Sequence, residues 1–198
     1  MTLANKLTVL RIVMAFVFIV CLFAQGIIAK CLALAVFIAA ALTDYLDGYL
    51  AKKRNEITDF GMIMDPIADK VLTLSAFIGF VEMGIVPAWM VVIIISRELI
   101  VTGIRIAAFA GGRVIAAGKG GKHKTVFQIF SILTILVFIV FKEAGVSVCR
   151  FWNPAFEYWY RQGIFILMII TVLLTVISGI SYLRAGKNFF DNRKRGSI

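Results

Sequence analysis

Asp44, Asp47, Asp65 and Asp69 fall in one short stretch of a 198-residue chain that has only 11 acidic residues. Asp44 and Asp47 are three residues apart and Asp65 and Asp69 four, so each pair shares one face of its own helix. A charge at a bilayer centre costs about 2.5–3.5 kcal/mol on insertion scales, and like charges in close quarters add to that. Carboxylates gathered this way call for a countercharge, and a bound divalent cation supplies it. The donors are hard oxygens, the single histidine is His123, and no cysteine lies nearby. Mg²⁺, Mn²⁺ or Ca²⁺ is therefore favoured over zinc. Four carboxylates suffice to hold two such ions about 4 Å apart, an arrangement that clamps a phosphoryl group. Gly48 lies four residues after Asp44 and Gly61 four before Asp65, and Ala51 keeps the face of Asp44 low. Small residues there let a nucleotide approach the backbone; the competing reading is that they only allow close helix packing.

Cationic residues form two further sets. Asn5, Thr8 and Arg11 recur at three-residue steps in NKLTVLRI, a face suited to phosphate or nucleotide at the membrane surface, or to a plain interfacial anchor. Arg97 and Arg105 are eight apart in ISRELIVTGIRIAA, two turns along one face. Arginines so placed in an apolar helix are costly unless an anion is bound. Glu98 is adjacent and can pair with an arginine or a lysine. Lys122 and Lys124, in GGKHKTVFQ, bring more positive charge to the same region. Singly, such lysines are topology markers; together with Arg97 and Arg105 they outline a pocket for a phosphate-bearing acceptor.

The elements that carry these residues are membrane helices by composition. Hydrophobic residues make up 61% of the chain and charged residues 16%, with a mean hydropathy of +0.96. A soluble domain of this size is not so apolar. Hydropathy predicts six spans, at residues 8–29, 31–52, 66–84, 87–109, 125–142 and 163–184. Pro66 is expected in the first turn of the third, where its missing N–H costs nothing. The fourth, with Arg97, Glu98 and Arg105, must turn that side to protein or water. The first run is longer than a signal peptide's apolar region and no clear cleavage motif follows it, so it is expected to stay attached.

Basic residues set the orientation. With the N-terminus inside, the inner segments hold most of them, from Lys6 and Lys52–Arg54 to Arg193–Arg195, and the outer segments hold Lys30, Lys142, Arg150 and Arg161. Both termini and the aspartates are then cytoplasmic. The net charge of +10 is largely this inner collar, which favours anionic lipid headgroups. Cys21, Cys31 and Cys149 are odd in number and widely spaced, which argues against a disulfide framework; Cys21 and Cys31 read as buried apolar fillers. The aromatic stretch Cys149–Gln162 reads as an outer interfacial belt. Residues 1–187 form the expected helical domain, and 188–198 a basic, mobile cytoplasmic tail.

The spacing from Asp44 to Asp69, D-x2-D-G-x2-A-K-x8-G-x3-D-x3-D, closely resembles the signature of the CDP-alcohol phosphatidyltransferase family, integral membrane enzymes that make phospholipids. Asp44, Asp47, Gly48, Ala51, Gly61, Asp65 and Asp69 match, and Lys52 stands where the family usually has arginine. Lysine keeps the charge and loses the planar fork. The opening NKLTVLRI is similar to the family's N-terminal pattern. The resemblance implies an all-α, polytopic fold of six transmembrane helices with a polar cavity open to the cytoplasm. It also implies two divalent ions (Mg²⁺ or Mn²⁺) on the four aspartates, with Asp69 as general base. CDP-diacylglycerol is then expected on Asn5, Thr8, Arg11, Gly48, Ala51, Lys52 and Gly61. The runs S-R-E-L-x-V-T-G-x-R and G-K-x-K-T resemble the glycerol-3-phosphate branch of the family. That implies phosphatidyl transfer to sn-glycerol 3-phosphate, whose phosphate would meet Arg97, Arg105, Lys122 and Lys124. Dimerisation is typical of the family, so a homodimer is expected; the lack of any cleavable targeting segment suits a bacterial inner membrane, and no nucleic-acid partner is expected. The competing readings are the same chemistry on inositol phosphate, serine or a phospholipid, an ion transporter, or an assembly protein that binds anionic lipid. Transport fits poorly, because the acidic residues cluster at one membrane face rather than at the midplane between repeats.

Overall fold

Six α-helices account for the described chain, and there is no strand among the described residues. They are α1 (Leu3–Phe23), α2 (Ile27–Ala51), α3 (Asp59–Glu82), α4 (Ala88–Ala110), α5 (Gly120–Ser147) and α6 (Pro154–Arg195). The structure, a computed structural model, describes residues 3–51, 59–110, 120–147 and 153–195, with side chains at 9–43, 70–104, 106, 124–146 and 153–184.

Local chemistry sets the boundaries. Gly26, at φ 92°, turns the chain between α1 and α2, so the first helix ends at Phe23 rather than running on to residue 29. Gly84, at φ 64°, closes α3: its N–H bonds to the Val81 carbonyl and that of Ile85 to the Phe80 carbonyl, each at 2.9 Å. That pair is a Schellman cap. Asn153 caps α6, its Oδ1 accepting the Ala155 N–H at 3.0 Å, with Pro154 at the first helical position. The last helix thus begins nine residues before the expected span and takes in the aromatic belt, where Phe156, Tyr158 and Trp159 are exposed. It also continues through Arg195, so most of the expected mobile tail prolongs α6.

Two other expectations are corrected. Pro66 is not in a first turn but is the eighth residue of α3. There it leaves the carbonyl four residues back without its helical donor, while the longer helix places Asp65 and Asp69 on one element. Cys31 is exposed, not buried. It shares the outer side of α2 with Ile28 and Leu32, also exposed, and a thiol behaves there as one more small apolar group.

α1 packs on α2 and α3, while α6 packs on α4 and α5. Contacts of α2 with α5, and of α3 with α4 and α5, join the two halves. The core is aromatic and aliphatic. Phe18 of α1 meets Phe37 of α2 at 5.7 Å between ring centroids, and Phe138 of α5 stacks on Tyr160 of α6 at 4.9 Å. The outside is equally apolar: Phe16, Val20, Val92, Leu99, Phe130, Leu173 and Ile177 are all exposed. Helices apolar on every side belong in a bilayer. The segments Lys124–Val146 and Pro154–Arg184 are long and apolar enough to cross one, and Val9–Phe23 and Ile27–Thr43 are shorter apolar helices.

Lysines and arginines at the expected outer end act as ties. Lys30 is buried in the first turn of α2 and donates to the Leu22 carbonyl at 2.6 Å, satisfying the end of α1. Glu157 of α6 accepts from Lys142 of α5 at 2.6 Å and from Arg161 at 3.1 Å. Arg161 also donates to the Gly84 carbonyl at 3.0 Å, fastening the α3–α4 turn.

Candidate active site

The last turns of α2 carry Asp44, Asp47, Gly48 and Ala51, and the first half of α3 carries Gly61, Asp65 and Asp69. The two helices touch. Each carboxylate pair is thus on one helix, at three- and four-residue spacing, as the sequence predicts. Their side chains, and Lys52 altogether, lie outside the described residues. So do the side chains of Asn5 and Thr8 on α1, Arg105 on α4 and Lys122 on α5. Arg11 is half-buried on α1.

Arg97 and Lys124, two of the residues expected to bind the acceptor's phosphate, do come together, and Glu98 joins them. Glu98 is 5% exposed, Lys124 5% and Arg97 9%. The Lys124 ammonium donates to Glu98 Oε1, to which Arg97 Nη1 also donates at 3.2 Å. Lys70 of α3 donates to Glu98 Oε2 at 2.5 Å, and Gln128, one turn beyond Lys124, approaches Oε1 at 3.5 Å. One carboxylate therefore gathers cationic groups from α3, α4 and α5. Glu98 finds both kinds of partner that its sequence position allows, arginine and lysine.

Arg97 reaches the other way as well. Its Nη2 donates to Ser178 Oγ of α6 at 2.8 Å, and its guanidinium lies 5.9 Å from the centroid of the Tyr182 ring. Gly179 makes the room, since a Cβ there would stand 3.0 Å from Arg97 Cγ. Farther along, α5 and α6 share a hydroxyl pair, Ser131 Oγ to Thr171 Oγ1 at 2.8 Å. Arg97 and Glu98 of span four are thus turned inward to protein, as an apolar helix requires.

Sequence reasoning passed over Lys70, Gln128, Ser178, Gly179 and Tyr182. Lys70 carried a signal: it is a lysine opening an apolar run, immediately after Asp69. Ser178 and Gly179 carried none, because small residues in a membrane helix ordinarily mark helix packing.

The cluster is chemically suited to an anion. The buried Arg97 guanidinium and Lys124 ammonium and the half-buried Lys70 ammonium can make charge-assisted hydrogen bonds to phosphate oxygens, and they lie on the helix that carries Asp65 and Asp69 and on its neighbours. Hard-oxygen donors on α2 and α3 fit divalent cations.

Comparison with known proteins agrees with this chemistry. The family model described as CDP-alcohol phosphatidyltransferase matches residues 1–185. A Bacillus subtilis protein named CDP-diacylglycerol–glycerol-3-phosphate 3-phosphatidyltransferase is 36% identical over 192 residues, 91% of this chain and 92% of its own length. A Mycobacterium tuberculosis protein named probable phosphatidylglycerophosphate synthase is 40% identical over 183 residues, 91% of this chain and 79% of its own. A Rickettsia felis protein with the same name as the Bacillus one is 31% identical over 188 residues, covering 95% and 97%. With its motif spacing intact and the match running through all six helices, the chain belongs to the CDP-alcohol phosphatidyltransferase family.

Proposed function

We propose that the chain transfers the phosphatidyl group of CDP-diacylglycerol to sn-glycerol 3-phosphate, giving phosphatidylglycerophosphate and CMP. The observation that carries this is the basic cluster of Lys70, Arg97 and Lys124 around Glu98, on helices packed against the aspartate-bearing α3. It supplies charge for an acceptor that itself bears phosphate. The names of the similar proteins support the same pair of substrates.

Asp44, Asp47, Asp65 and Asp69 would hold two divalent cations, Mg²⁺ or Mn²⁺, which when bound would neutralise charge on the diphosphate. Asp69 takes the proton of the acceptor hydroxyl as that oxygen attacks the lipid-side phosphorus. A new P–O bond forms to the acceptor, the P–O bond to the bridging oxygen breaks, and CMP departs with the electron pair. Arg97 and Lys124, with Arg105 and Lys122, hold the acceptor's phosphate and so orient its hydroxyl. Gly48, Ala51 and Gly61 leave space for the nucleotide, and Asn5, Thr8, Arg11 and Lys52 bind its phosphates. The six helices span the membrane with both termini and a polar cavity on the cytoplasmic side, in keeping with the asymmetry of basic residues. The enzyme acts as a homodimer in the inner membrane of a bacterium.

Purified protein is to be assayed for CMP release from CDP-diacylglycerol with glycerol 3-phosphate, inositol phosphate, serine or no acceptor. Release is expected with glycerol 3-phosphate, abolished by EDTA and restored by Mg²⁺ or Mn²⁺. Asp69→Asn is expected to lower kcat by about 100-fold or more, the loss of a general base. Release with inositol phosphate or serine alone overturns the acceptor assignment.

A further inference from the structure

Glu98 stands where three helices meet, and its two oxygens are divided between them. Oε2 accepts from Lys70 of α3, while Oε1 accepts from Lys124 of α5 and from its own neighbour Arg97. A carboxylate 5% exposed among apolar helices is costly unless paired. One partner would meet that need, and Glu98 has cations on both oxygens. The two lysines are also specific in their places. Lys70 directly follows Asp69 on α3, and Lys124 lies two residues after Lys122 at the start of α5. The ion pairs therefore connect the helix of the attacking chemistry with the helix of the acceptor's phosphate.

We propose that Glu98 is a positioning residue for the transfer, acting through Lys70 and Lys124 without touching substrate. Its carboxylate holds the two ammonium groups at set places, one on each oxygen, and so fixes α5 against the part of α3 that carries Asp65 and Asp69. The acceptor's phosphate, bound on the α5 side, is thereby kept at one distance from the aspartates. This inference rests on the function proposed above.

The test uses full-length protein in detergent with saturating Mg²⁺. CMP release is followed against each substrate in turn for the parent, Glu98→Gln and Glu98→Asp, and Tm is measured alongside. Glu98→Gln keeps the volume and removes the charge, so Lys70, Arg97 and Lys124 repel one another and the lysines leave their places. A misplacement of about 1 Å lowers a rate about 100-fold. The expected result is a fall in kcat of that order with a shifted KM for glycerol 3-phosphate and an unchanged KM for CDP-diacylglycerol. Glu98→Asp keeps the charge but draws the carboxylate back by one methylene, so it is expected to recover kcat only in part, with the acceptor KM still shifted. Parental kcat and acceptor KM in Glu98→Gln overturn the proposal. So does a variant whose Tm alone falls.

Should Glu98→Gln fail to fold, Glu98→Gln combined with Lys70→Met removes one cation together with the anion. Folding then returns and kcat stays low; parental kcat in that double variant overturns the proposal. A parent that releases CMP with a different acceptor overturns the glycerol 3-phosphate assignment instead. The Glu98 inference then stands or falls by the same kinetic split measured on that acceptor.

Discussion

At the scale of single residues, Arg97 shows how a charge can be useful inside an apolar helix. Its guanidinium is held by Ser178 at 2.8 Å and by Glu98 at 3.2 Å, with Tyr182 alongside, and the stem passes over Gly179. A hydrogen bond to a charged group contributes about 1.5–3 kcal/mol net. Gly179→Ala puts a methyl 3.0 Å from Cγ, midway along a stem already pinned at its far end. The side chain cannot yield there without loosening the Ser178 bond. Gly179→Ala is therefore expected to raise the KM for glycerol 3-phosphate roughly tenfold, the equivalent of about 1.4 kcal/mol, with a smaller effect on the KM for CDP-diacylglycerol. Gly163→Ala is the matched control on the same helix: nothing lies within 4 Å of its added methyl, and parental kinetics are expected. Equal KM changes for both substrates in Gly179→Ala would remove Arg97 from the acceptor side. The sequence pointed to Arg97, because an arginine in an apolar run must have a partner. It did not point to Gly179, whose role depends on which helix crosses at that height.

At the scale of elements, close approach and capping decide where each helix sits. Gly79 of α3 lies against α1, and a Cβ there would stand 2.6 Å from Leu22 Cδ2. Leu22 is fully buried, so its methyl has little free space to move into. Alanine would gain about 1 kcal/mol of helix propensity, whereas overpacking a tight core costs about 1–3 kcal/mol. The crowding is expected to win, with Gly79→Ala lowering Tm by a few degrees and leaving both KM values unchanged. A Tm at or above the parent's would show that α1 can shift away from α3 at no cost. Helix number was legible in the sequence because its apolar runs are separate; helix ends were less so. Hydropathy alone carries the first span through Gly26, whereas Gly26 takes a positive φ that stops α1. Asn153-Pro154 was a readable N-cap signature, masked by the aromatic composition that follows it. Pro66 suggested a helix start by its own chemistry, yet α3 tolerates one missing bond and begins at Asp59. In each case a local preference was real and its neighbours decided the outcome.

At the scale of the whole molecule, charge is sorted along the helices. The Asp44–Asp69 stretch and the candidate phosphate residues belong to segments that sequence reasoning puts on one side, and the Lys142–Glu157–Arg161 tie and Lys30 cap belong to the other. The motif was legible because its spacing follows helix geometry, which is local. The Glu98 junction was not, because its members come from α3, α4 and α5 and meet only when those helices pack. The proposed topology, six crossings with both ends inside, makes a specific demand on accessibility. With Cys21 and Cys31 changed to Ala, Cys149 should react with a membrane-impermeant maleimide in right-side-out vesicles. Cys introduced by Lys53→Cys, in a second variant that also lacks Cys149, should react only in inside-out ones. The excess of Lys and Arg beside residue 53 opposes translocation of that segment, so the two reactivities should be opposite and not merely different in degree. Labelling of both positions from the same face would leave an even number of crossings between them. That result would put the aspartates and the α5–α6 connection in one compartment and overturn the six-span topology.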